Sequence, residues 1–149
     1  MVIFIVYDDP LQSMVIKIKA NSYVRILLPS YNNVFNQFMP ENPTVPGIYI
    51  TQFMGDEEPI LGFNTTTNPL LLSNNSKWQL DALHNLSLEH AKNLGYTACR
   101  SLLPSIPAAG LFSLKYSLDA AFKDENYGSD VYRATFTIIC PSQHIIITI

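Results

Sequence analysis

The chain has 149 residues, 48% of them hydrophobic, yet only 14% charged, against about a quarter in ordinary globular domains. Its net charge is −3, and its nine Lys plus Arg form no basic cluster, which excludes a phosphate-tracking nucleic-acid surface as its main role. Uncharged polar residues replace the missing charge, with 12 Asn, 12 Ser and 9 Thr, so a surface with weak self-repulsion is expected of one domain spanning 1–149.

The first element is "VIFIVY", a continuous apolar run that reads as a strand covered on both faces. It is too short for a secretory h-region, has no positive flank, and runs straight into Asp8, Asp9 and Pro10, so no signal peptide is read. No apolar run approaches the roughly 20 residues of a membrane-spanning helix. "MVIKIK" then alternates, with Lys17 and Lys19 outward, and "YVRILL" repeats the pattern up to Pro29. Both are expected to be strands.

Residues 30–47 hold three prolines and four asparagines, a composition of turns. Here Tyr31, Phe35 and Phe38 alternate with Asn32, Asn33 and Asn36. Ring faces beside amides make a candidate sugar-binding platform, because rings stack and amides bond hydroxyls. The plainer account, that the rings tuck the loop onto the core, is favoured. "GIYITQF" opens after Pro46 as another strand, followed by a second irregular stretch, 55–76. It contains Asp56, Glu57 and Glu58, whose carboxylates could contribute to a hard-cation site such as Ca²⁺, although a solvated turn before Pro59 explains them more simply. Within it "NPLLL" reads as a short strand.

Helix is expected only around 77–94. "KWQLDALHNL" supplies a turn or two, and "SLEHAKNLG" has Ser87 as N-cap, Glu89 in the first turn and Gly95 at the C′ position. With Gly95 ending the helix, "GYTACRSLLP" is expected to be a strand. "LFSLKYSLDAAF" and "VYRATFTIIC" alternate on either side of a polar loop containing Gly128, which predicts a long antiparallel hairpin. Pro141 is expected to break the ladder and leave "HIIITI" as a separate strand. Its Ile145, Ile146, Ile147 and Ile149 either pair beside "VIFIVY" or offer a strand edge to a neighbouring chain.

Catalytic signatures are thin. His84 and His90 are six apart, the wrong spacing for two zinc ligands on one helix, and the chain has no C-x-x-C, no G-x-S-x-G and no glycine-rich phosphate loop. No cofactor is implied. Cys99 and Cys140 permit one disulfide without requiring it.

Seven or eight strands with one or two short helices predict a mainly β fold, an antiparallel two-sheet β-sandwich of jelly-roll or Greek-key type. The function that fits is a non-enzymatic, self-associating structural or surface subunit, with itself as partner and an extracellular or particle-associated location favoured over the cytoplasm. The alternative is a carbohydrate- or cell-surface-binding module using the Asn/aromatic loops.

Overall fold

Asn21 decides the local structure of the N-terminal third. Its Oδ1 accepts from the Tyr23 and Val24 N–H groups at 2.9 and 3.1 Å, satisfying two donors that a helix start leaves orphaned. The computed structural model describes residues 3–6, 10–30, 32–59, 70–103 and 114–148, with side chains at 14–30, 32–53, 77–103 and 114–139. In it Asn21 caps α2 (Ser22–Leu27), which follows α1 (Pro10–Ala20). The strands expected at "MVIKIK" and "YVRILL" are therefore helices. Met14 and Ile18 are buried four residues apart, as are Val24 and Leu28, while Ile16 and Lys17 face outward. The i, i+4 stripe wins over the i, i+2 one because Pro10 opens α1 with a preset φ and Asn21 caps α2.

The remaining elements are β1 (Ile3–Val6), β2 (Val34–Phe35), β3 (Gly47–Pro59), β4 (Leu70–His84), α3 (Leu88–Ser101), β5 (Lys115–Lys123) and β6 (Tyr132–Thr148). They form one open sheet in the order β1-β6-β4-β3-β2, with β5 also on β6. The sheet is mixed, since β2 runs parallel to β3 and every other pairing is antiparallel. This overturns the expected two-sheet sandwich. Ile48, Ile50, Trp78, Leu80, Ala82, Ala134, Phe136 and Ile138 make one sheet face, and Met14, Ile18, Val24, Ala91, Leu94 and Ala98 of the helices cover it. The three helices supply the layer that a second sheet would have supplied.

Residues 77–84 are strand, not helix: Trp78, Leu80 and Ala82 alternate into the core. Ser87 does cap α3, its Oγ accepting from the His90 N–H at 3.2 Å, but the helix continues past Gly95 to Ser101. Gly95 is there for packing, because a Cβ at this position would run into the Phe136 ring. The segment expected as strand, "GYTACRS", thus completes the helix, with Ala98 and Cys99 buried on its inner side.

The β5–β6 hairpin forms as expected, with Ala134, Phe136 and Ile138 inward. A bulge between Leu118 and Ala120 turns Ala121 inward in place of Ala120 and leaves Phe122 partly exposed. Pro141 does not end the ladder, since β6 runs through it opposite Asn75 of β4. On its other edge β6 meets β5 up to Ile139 and β1 from Ile145 onward, so among the described residues Pro141 lies in a gap where β6 is locally an edge, the setting a sheet proline needs. Beyond the gap, Ile145, Ile146 and Ile147 pair with Val6, Ile5 and Phe4.

A smaller cluster sits on the sheet face away from the helices. Tyr49, Leu83 and Val131 are buried there beneath Phe35, Met39, Val45 and Tyr127. The Tyr49 hydroxyl accepts from the Thr44 N–H at 2.8 Å, and Asn33 Nδ2 donates to the Pro46 carbonyl at 3.0 Å, folding the 32–46 loop over this end. The Val45–Pro46 bond in that loop is cis.

Candidate functional site

Among the described residues, Asp81, Asp124, Arg133, His84 and Cys99 are held in structural roles. On the sheet face away from the helices, β4 presents Asp81 and β6 presents Arg133 and Thr135. Arg133 Nε donates to Asp81 Oδ1 at 3.0 Å and Nη1 to Asp124 Oδ2 at 3.2 Å. Thr135 Oγ1 and Gln79 Nε2 donate to Asp81 at 2.8 and 2.9 Å, and the Asn126 N–H donates to Asp124 Oδ1 at 3.2 Å. Burial works against the Arg133 charge, but Asp81 and Asp124 more than offset it, and the guanidinium pKa is raised. Each buried carboxylate is satisfied, and the cluster ties the β5–β6 turn to the sheet centre.

At the end of β4, His84 is buried and its ring lies 5.0 Å from that of exposed His90. His84 Nδ1 accepts from the Leu86 N–H at 3.1 Å, and Ser87 Oγ lies 2.6 Å from His90 Nδ1. Ser87 is already engaged as the α3 cap, so its contact with His90 is the local geometry of a helix start. Burial lowers the His84 pKa, the His90 charge lowers it further, and a hydrogen bond with the Leu27 backbone opposes both. Below pH 6.5 the unfolded chain therefore takes up this proton before the folded one, and stability falls with falling pH. We expect the melting temperature to drop between pH 7 and pH 5, with this contribution below the single-proton ceiling of about 1.4 kcal/mol per pH unit. In His84→Asn, thermal melts across the same range should show a shallower slope; an unchanged slope would assign the effect elsewhere.

Cys99 is a free, buried thiol whose pKa is pushed up to about 12 by desolvation, so it stays protonated and unreactive. The Cys99–Cys140 disulfide that the sequence permits is not formed. Among the described residues no three His, Cys, Asp or Glu side chains gather as a metal site. Also among them, no helix is long and apolar enough to cross a membrane.

The candidate platform residues are split. Phe35 lies in β2 and stacks on Tyr49 with centroids 4.9 Å apart, and Asn33 is tied to Pro46. Asn32 and Asn36 are exposed, as is Phe38 at 64%, and Tyr31 lies outside the described residues. Asp56, Glu57 and Glu58 are strand residues of β3, in register with Asn75, Asn74 and Ser73. Ile145 and Ile146 are paired on both sides within the chain, by β1 and by β4; Ile147 pairs with β1, and Ile149 lies outside the described residues.

The feature that sequence reading missed is on the helical layer. A groove of about 620 Å³ runs between α2 and α3, lined by Tyr23, Ile26, Leu27, Asn93, Thr97 and Arg100 among others. Tyr23 and Ile26 are 69% and 78% exposed, while Val24 and Leu28 beside them are buried. The signal was the apolar pair Tyr23 and Ile26 at helical spacing. It is legible only once 22–27 is known to be helix.

No protein-family model matches the chain, and no curated protein matches it. Among solved structures, 16 chains match. One belongs to the virion of a native gene transfer agent particle, with a TM-score of 0.60 and 13% identity. The match covers 90% of this chain and 94% of that one, so the two share a fold nearly from end to end.

Proposed function

We propose that the protein is a non-enzymatic structural subunit of a virion-like particle, working through contacts with copies of itself. The observation that carries this reading is the near-complete overlay on a virion chain. Three features support it: the low charge content, the exposed apolar groove on the helices, and the strand edges of β3 and β5 that have no described partner over most of their length. Such edges and grooves are the surfaces through which β-rich subunits join. Its place in this reading is the particle.

Light scattering and sedimentation over a concentration series provide the test. The expected result is a discrete oligomer, a multiple of 16.8 kDa, that forms with rising concentration and appears as rings or stacks under the electron microscope. A particle that stays at 16.8 kDa at the highest attainable concentration would remove the proposal.

A further inference from the structure

We propose that the open edge of β5 pairs antiparallel with β5 of a second copy about a two-fold axis at Ser117, joining the two sheets into one. The inference rests on the self-association reading and gives it a specific contact. β5 pairs with β6 along one side, and along its other side it has no strand among the described residues. An edge of that kind holds a row of backbone donors and acceptors that only water or another strand can satisfy. Side chains on its outer face set the register. Ser117 lies opposite Thr137 of β6 and Lys115 opposite Ile139, between the inward Phe136 and Ile138, so Lys115 and Ser117 stand on the face away from the helices. Asp119 is the extra residue of the bulge between Leu118 and Ala120. It stays on that face, since its carboxylate accepts from the Thr137 hydroxyl and from Ser117 Oγ at 3.4 Å.

Lys115 and Asp119 are both exposed, and among the described residues neither is in an ion pair. A two-fold axis at Ser117 sets Lys115 of each copy directly across from Asp119 of the other, giving two opposite-charge pairs in one contact. On the helix-side face it sets Tyr116 across from Leu118. Both are half-buried against the core, and Tyr116 meets the Tyr96 ring edge-on at 6.5 Å. Moving the axis to Asp119 would set that carboxylate against its own copy, and parallel pairing in register would set every charge beside its like. The bulge bends the strand after Leu118, so pairing ends near Asp119 and leaves Phe122 outside it. Lys115 thus bars indiscriminate strand addition, as edge lysines do, while Asp119 answers it in this register.

Charge exchange tests the contact. Lys115→Glu is expected to weaken association about tenfold or more, and Lys115→Glu combined with Asp119→Lys to recover most of the loss. A Lys115→Glu melting temperature near that of the wild type would show that the variant folds. In a Cys140→Ser background, Ser117→Cys should cross-link to its own copy under mild oxidation, because residues paired across the axis bring their Cβ atoms within about 5 Å. Phe122→Cys, exposed but beyond the bulge, should not, and Cys99 is buried. The sedimenting assembly should hold an even number of 16.8 kDa chains. A Lys115→Glu variant that assembles like the wild type, a double variant no better than that single one, or a Ser117→Cys variant that gives no cross-link would overturn this contact while leaving self-association standing. A wild type that never associates would remove both.

Discussion

Replacing Arg133 by Met is expected to lower stability by about 3–5 kcal/mol, the largest loss for any single substitution discussed, because it leaves buried charge unpaired. Asp81 and Asp124 have side chains only 6% and 2% exposed, and Arg133 is the cation that bonds both. A methionine of similar length keeps the packing against Phe122 but leaves two buried carboxylates without the counter-charge they share. Arg133→Lys should fall between the two. A single ammonium keeps the charge but cannot hold the forked geometry that reaches both acids. Urea denaturation of the three proteins is the measurement. An Arg133→Met midpoint close to that of the wild type would show that the carboxylates reach water and that the cluster adds little.

Gly95→Ala is expected to cost about 2 kcal/mol, although alanine raises helix propensity by about 1 kcal/mol over glycine. The added Cβ would collide with Phe136, a fully buried ring in the middle of β6 that has nowhere to move. Overpacking therefore outweighs propensity. A double-mutant cycle isolates the cause: with Phe136→Leu in place, the cost of Gly95→Ala should shrink by about 1 kcal/mol or more, since the two residues touch. If Gly95→Ala is neutral or stabilising in the wild-type background, α3 is not clamped to the sheet at this point.

Both predictions concern residues whose role lies outside their own segment, and this marks the limit of sequence reading here. Of the candidate site, Asp56–Glu58 and the loop around Phe35 were visible as local composition. The α2–α3 groove was not, because it exists only between two helices, one of which alternates like a strand. Around α2, Val24 and Ile26 stand two apart and Val24 and Leu28 four apart, so the same few residues satisfy both periods. Capping by Asn21 and the need to cover the sheet decided between them.

What the sequence by itself determined is what short-range physics can fix. The β5–β6 hairpin follows from alternation on either side of a polar turn. The Ser87 cap follows from a hydroxyl three residues before a free N–H. The low charge follows from composition alone. Tertiary structure decided the rest. Gly95 reads as a helix terminator until Phe136 is seen against it, and Pro141 reads as a strand breaker until β6 is found with a gap on that edge. Trp78, Leu80 and Ala82 became strand residues because three helices needed a floor. One sheet or two was likewise settled by what covers the apolar face, and that partner is named nowhere in the local pattern.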